Sequence, residues 1–140
     1  MNQNYHDETI AIHTGYQKDN QRTMAVPLYL STAYAYKDID HAARLLNLEE
    51  GGNIYTRLSN PTTQVFEDRV AALEGGEAAL ACASGMAAIF YAVVNVAQAG
   101  DNILSSTKIY GGTSTLFAHT LKRFGIETRF FDPQNPQELE

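Results

Sequence analysis

Apolar positions along this chain change their spacing near Asn60, and the second part is the more regular. Val65, Phe66, Val70 and Leu73 recur at helical intervals, with Glu67, Asp68 and Arg69 on the wetter side. Asn60-Pro61 starts that helix, because the Asn side chain accepts from a free backbone N–H and proline loses nothing at the first helical position. Gly75-Gly76 stops it by offering a left-handed cap. Residues 77–83 are a short apolar run whose alanines also suit a helix. Ser84-Gly85 decides for a buried strand, since it supplies a turn and a cap before an apolar helix over 86–98. A strand over 102–106 comes next. The turn Tyr110-Gly111-Gly112-Thr113, a helix over 114–124 stopped by Gly125, and a β-branched and aromatic strand over 126–131 follow. This α-β-α-β-α-β order predicts an α/β fold with a mostly parallel sheet covered by helices.

Before Asn60 the pattern is looser. Asp38-Ile39-Asp40 leads into a short helix over 41–50 with Ala42, Leu45, Leu46 and Leu48 inward, and 26–36 reads as extended and Tyr-rich. A first stretch of roughly 25 residues with little periodicity reads as an arm that packs on something else, such as another subunit. The division expected is therefore an arm over 1–60 and the first part of a larger domain over 61–140. Asn135-Pro136-Gln137-Glu138 has a cap, a first-position proline and a Glu that reaches back, so it announces another helix just before Glu140. With only three strands expected, the sheet reads as incomplete.

Composition narrows the function classes. Of the 140 residues 44% are hydrophobic and 19% charged, enough apolar material for a core and unlike a disordered chain. Sixteen acidic against ten basic residues leave a net charge of −6 without a Lys/Arg cluster, so nucleic acid has no electrostatic footprint. The single Cys82 excludes an internal disulfide framework and a Cys-rich zinc site, and suits a reducing compartment. The first residues are polar and acidic, unlike a signal peptide, and the apolar stretch 87–97 is too short to span a bilayer, so it reads as a buried helix. A cytoplasmic protein without membrane partners is expected.

Candidate chemistry concentrates at two turns and one tripeptide. Ser84-Gly85-Met86 between a strand and a helix would gather free N–H groups and the helix dipole, which suits a phosphate, although most such turns are only caps. Tyr110-Gly111-Gly112-Thr113 occupies the equivalent place one unit later, at the carboxyl edge where open α/β sheets bind ligands. Tyr110 there could cover a planar cofactor or simply pack locally. In Tyr55-Thr56-Arg57 alternation puts Tyr55 and Arg57 on one side of an extended segment, a hydroxyl and a guanidinium together; a surface Arg beside a packed Tyr is the plainer account. His6, His13, His41 and His119 are scattered without metal-ligand spacing, Cys82 sits mid-strand, and Lys18, Lys37, Lys108 and Lys122 lie in polar or mixed settings.

Glu8-Thr9, Val26-Pro27-Leu28-Tyr29, Tyr55-Thr56-Arg57, Asn60-Pro61-Thr62, Leu73-Glu74-Gly75-Gly76, Ala83-Ser84-Gly85-Met86, Gly100-Asp101 and Tyr110-Gly111-Gly112-Thr113 occur in this order. Together they resemble the amino-terminal part of the Cys/Met-metabolism family of pyridoxal-phosphate enzymes, of the aspartate-aminotransferase fold type (fold type I). The longer approach from Asp40-His41-Ala42-Ala43-Arg44-Leu45-Leu46 to Gly52-Asn53-Ile54-Tyr55-Thr56-Arg57 is most similar to the members that sulfhydrylate O-acetylhomoserine. Cystathionine γ-synthase and methionine γ-lyase usually read Tyr-Ser-Arg after a shorter approach. Leu30 departs from the polar residue this pattern leads one to expect.

The resemblance implies pyridoxal 5'-phosphate as cofactor, with Ser84, Gly85 and Met86 at its phosphate and Tyr55 and Arg57 reaching that phosphate from a neighbouring subunit. It implies Tyr110 stacked on the pyridine ring and acting as the catalytic acid for departing acetate. The reaction implied is a γ-replacement in methionine biosynthesis, O-acetylhomoserine plus a sulfur donor giving homocysteine and acetate. It further implies a homotetramer built from dimers with shared active sites. The Schiff-base lysine, the acid for the pyridine nitrogen and the arginine for the substrate carboxylate belong to later sequence in the family, so these residues alone are expected to be inactive. Another family member, or a non-catalytic α/β interaction module, are the alternatives.

Overall fold

A computed structural model describes residues 5–135 and 137. The chain divides into two compact units, Met1–Ala81 and Cys82–Glu140. The helix announced by Asn135-Pro136-Gln137-Glu138 lies largely outside the described residues.

Among the described residues of the first unit three helices form: α1 (Asp7–His13), α2 (Ile39–Leu46) and α3 (Pro61–Glu74). The Asn60 side chain accepts from the Thr62 N–H, Pro61 holds the first helical position, and Gly75 closes α3 at φ 66°, as the sequence predicts. The faces of α3 differ from the expected stripe. Val65 and Ala71 are buried whereas Phe66 and Leu73 are exposed. The supposedly wet side is used: Arg69 Nε donates to the Thr14 carbonyl at 2.8 Å, and Glu67 accepts from the Ala81 N–H at 2.8 Å. Arg69 and α1 explain each other, since α1 packs on α3. Periodicity does not reveal α1, a seven-residue helix with no buried residue. Its acidic first turn, Asp7 and Glu8, suits the dipole.

Helix α2 starts where Asp38 accepts from the His41 N–H at 2.7 Å. Only part of its expected inner face is inward: Leu45 is buried, Ala42 is half-buried, and Leu46 and Leu48 are exposed. The helix ends at Leu46 and Leu48 turns left-handed, at φ 59°, so the helical spacing that would have carried Leu48 inward no longer applies. The stretch 26–36 carries one isolated antiparallel bridge, Ala33 to Tyr55.

The second unit contains α4 (Gly85–Val96), β1 (Asn102–Ser106), a helical crossover and β2 (Glu127–Phe131). The crossover runs through α5 (Gly111–Thr115), a π-helical turn (Leu116–Thr120) and α6 (Leu121–Arg123), starting three residues before the expected 114. The strands pair in parallel, Asn102 opposite Glu127 through to Ser106 opposite Phe131. Leu116, Leu121 and Ile126 are buried and form the core of this unit. Two parts of this unit differ from the sequence pattern. Residues 77–83 form no strand, because a strand exists only through a ladder and this run enters none among the described residues. Helix α4 is not buried: none of its residues falls in the core, and Tyr91 and Val96 face outward. The α/β class stands, with a parallel sheet of two strands among the described residues.

Candidate functional site

The start of α4 is set by Ser84. Its backbone is extended, at φ −159° and ψ 158°, and its Oγ accepts from the Ala87 N–H at 3.1 Å while its carbonyl accepts from Ala88. The N–H groups of Gly85 and Met86 therefore belong to the open end of the helix, and no group among the described residues accepts from them. A Cβ on Gly85 would meet nothing within 4 Å, so the approach to these donors is clear. The geometry is that of a helix start with two free donors and positive dipole potential. The preceding residues form no strand, so the carboxyl-edge placement expected for this turn rests on Tyr110 alone.

Tyr110 follows β1 and stands at the head of α5, with its side chain largely in solvent. Its ring lies against Gly112: a Cβ there would stand 2.6 Å from Tyr110 Cε1 and 3.3 Å from Met86 Sδ. The missing side chain is thus the space in which Tyr110 and Met86 come together. Two turns singled out separately in the sequence meet at this glycine. An aromatic face beside free helix-terminal donors fits a flat ring that carries a phosphate, which is what the residues present would have to hold.

Tyr55 and Arg57 are adjacent, but for a different reason from the one expected. The segment is a turn rather than a strand, with the Leu58 and Ser59 N–H groups both donating to the Tyr55 carbonyl at 2.8 and 3.0 Å. Strand alternation ends at Tyr55, and the turn folds Arg57 back so that its Cζ lies 4.7 Å from the Tyr55 ring centroid. Arg57 is exposed and Tyr55 half-buried, leaving the guanidinium edge available for an anion. Sequence reading misses the network beneath this turn, centred on Asn60, because a helix cap is all that Asn-Pro announces. The four lysines are exposed, and Leu30 projects into solvent.

The fold and these turns define a class: the chain belongs to the Cys/Met metabolism PLP-dependent enzyme family, which matches residues 8–140. Among its relatives, O-acetyl-L-homoserine sulfhydrylase of Leptospira meyeri is 53% identical over 140 residues, covering 99% of this chain and 32% of that protein. L-methionine gamma-lyase of Fusobacterium nucleatum subsp. polymorphum is 45% identical, covering 94% of this chain and 33% of that one. A solved structure from Campylobacter jejuni, described as an O-acetylhomoserine (thiol)-lyase with N'-pyridoxyl-lysine-5'-monophosphate, superposes with a TM-score of 0.93 at 53% identity. It covers 97% of this chain and 34% of that chain. The chain thus spans about a third of the length of the proteins it matches.

Proposed function

We propose that the chain is the amino-terminal part of a pyridoxal-phosphate-dependent γ-replacement enzyme that makes homocysteine and acetate from O-acetylhomoserine and a sulfur donor. The observation that carries the reading is 53% identity to a sulfhydrylase along 99% of the chain, against 45% to a methionine lyase. The bound cofactor supplies an electron sink for the substrate α-carbon. Everything else falls to side chains and backbone.

Ser84 fixes the helix start, and the Gly85 and Met86 N–H groups donate to the phosphate. Arg57 and Tyr55 donate to the phosphate held by a neighbouring subunit, which gives the 1–60 arm its purpose and favours a homo-oligomer with shared sites, a tetramer built from dimers. Tyr110 covers the ring and gives its hydroxyl proton to the acetate oxygen as the γ-carbon bond breaks. The exposed setting of all four lysines supports assigning the cofactor's lysine to sequence outside 1–140. A cytoplasmic site of action goes with this reading.

The test is product analysis of the complete polypeptide that carries these residues. With O-acetylhomoserine and sulfide, homocysteine and acetate are expected in equal amounts. Release of a 2-oxo acid and a thiol from methionine at a higher kcat/KM would move the assignment to the lyase reading. Absence of turnover with any such substrate, in a preparation that binds no cofactor, would favour a non-catalytic interaction module.

A further inference from the structure

Asn60 does more than begin α3. It is a buried polar residue, 6% exposed, and both ends of its amide are engaged. Oδ1 accepts from the Thr62 N–H at 2.8 Å, which is the helix cap. Nδ2 faces three oxygens from elsewhere: the Tyr29 carbonyl at 2.9 Å, the Tyr34 hydroxyl at 3.1 Å and the Thr56 hydroxyl at 3.1 Å. The Thr56 hydroxyl passes the tie onward by donating to the Ser31 carbonyl. Thr62 grips the same strap, its Oγ1 donating to the Pro27 carbonyl at 2.8 Å and accepting from the Tyr29 N–H at 2.9 Å.

A cap needs only an acceptor, and Ser, Thr or Asp would supply one. The donor end is what asparagine adds. It is spent on Thr56, the residue between Tyr55 and Arg57, and on the strap 29–34 that pairs with Tyr55 through Ala33. One buried amide therefore joins a rigid helix start to the turn that presents a hydroxyl and a guanidinium.

We propose that Asn60 is a positioning residue: its Nδ2 donors set where Tyr55 and Arg57 stand, and through them the affinity for the phosphate of pyridoxal phosphate. The inference rests on the reading of Tyr55 and Arg57 as phosphate donors given above. If Asn60 only stabilised α3, its replacement would change the melting temperature and leave that affinity unchanged.

The experiment is a double-mutant cycle in the complete polypeptide, with pyridoxal phosphate affinity read by titration and the Thr56, Leu58 and Ser59 amides read by hydrogen exchange. Asn60→Ser keeps a capping oxygen and removes the two amide N–H donors, which its shorter hydroxyl does not replace. It is expected to weaken the affinity about tenfold, the size of a lost hydrogen-bonding constraint, and to speed exchange at the three amides. In the Arg57→Ala background the same change should cost clearly less, about threefold or under, because the path through Arg57 is cut and only the one through Tyr55 remains. Thr56→Val, at an exposed position, removes one acceptor of Nδ2 without touching the cap and should act in the same direction to a smaller degree. An equal loss of affinity in both backgrounds, or no loss for Asn60→Ser and Thr56→Val while Arg57→Ala weakens binding, overturns the positioning role. An Arg57→Ala variant that binds as tightly as the parent overturns the phosphate reading itself and this inference with it.

Discussion

At the scale of single residues, the contact between Tyr110 and Gly112 separates the two roles proposed for that aromatic side chain. The ring rests where a Cβ would stand 2.6 Å away, so its position depends on Gly112 having none. Its hydroxyl has no part in that packing. Tyr110→Phe is therefore expected to keep cofactor affinity within about twofold, since stacking uses the face of the ring. It should slow acetate release by about a hundredfold or more, the usual worth of a positioned acid. Gly112→Ala is expected to lower both, because the ring or Met86 must move to admit the methyl, at a cost of about 1–3 kcal/mol for overpacking. Cofactor titration and acetate release together separate the variants. Equal turnover of Tyr110→Phe and the parent would remove the acid role.

At the scale of elements, the decisive difference is between helices whose ends are local and faces that depend on neighbours. Leu46 and Leu121 look alike in a helical pattern, yet the structure buries Leu121 completely and leaves Leu46 63% exposed. Leu121→Ala is expected to cost about 2–4 kcal/mol by opening a cavity beside Leu116 and Ile126, and Leu46→Ala less than about 0.5 kcal/mol. Chemical denaturation of the two variants measures the contrast. The same distinction explains what was legible. Asn60, Asp38 and Ser84 announce their helices because a cap is made within three residues. The run 77–83 cannot announce a strand by itself, the outward faces of α3 and α4 depend on what packs there, and α1 is too short for a period to show. Of the candidate site, the Ser84 and Tyr110 turns were readable from their glycines. Alternation predicts that Tyr55 and Arg57 are adjacent, and they are, but a turn brings them together. From the last turn of α2, Arg44 Nε donates to Glu50 at 2.9 Å and holds that carboxyl below its ordinary value, with the charges of Arg44, His41 and Lys37 acting in the same direction. A carboxylate lowered in the fold stabilises above its unfolded value and loses that contribution as pH falls through the lowered one. The tie between α2 and Glu50 should thus persist at neutral pH and loosen only on acidification. In an NMR titration Arg44→Gln should raise the Glu50 midpoint, and an unmoved midpoint would dismiss the tie.

At the scale of the whole molecule, the matched proteins are about three times as long as this chain, and the site residues proposed within it are of one kind. They are donors and an aromatic face: backbone N–H groups at Gly85 and Met86, Arg57 over Tyr55, and the ring of Tyr110 beside Gly112. Such groups hold a phosphate and cover a ring. Covalent capture of a carbonyl cofactor needs in addition an amine that can lose its proton, which burial or a neighbouring cation provides and open solvent does not. Lys18, Lys37, Lys108 and Lys122 are all exposed. Lys108 comes nearest to qualifying, being two residues before Tyr110, yet its backbone N–H is turned to the Ser106 hydroxyl and its side chain stands in water. Residues 1–140 mixed with pyridoxal phosphate should accordingly show only the weak, reversible absorbance change of surface amines, and no acetate should be released from O-acetylhomoserine. Absorbance before and after dialysis measures this directly. A cofactor band that survives dialysis, vanishes in Lys108→Ala and accompanies acetate release would show that this segment carries its own reactive amine, and would overturn the assignment of that amine to other sequence.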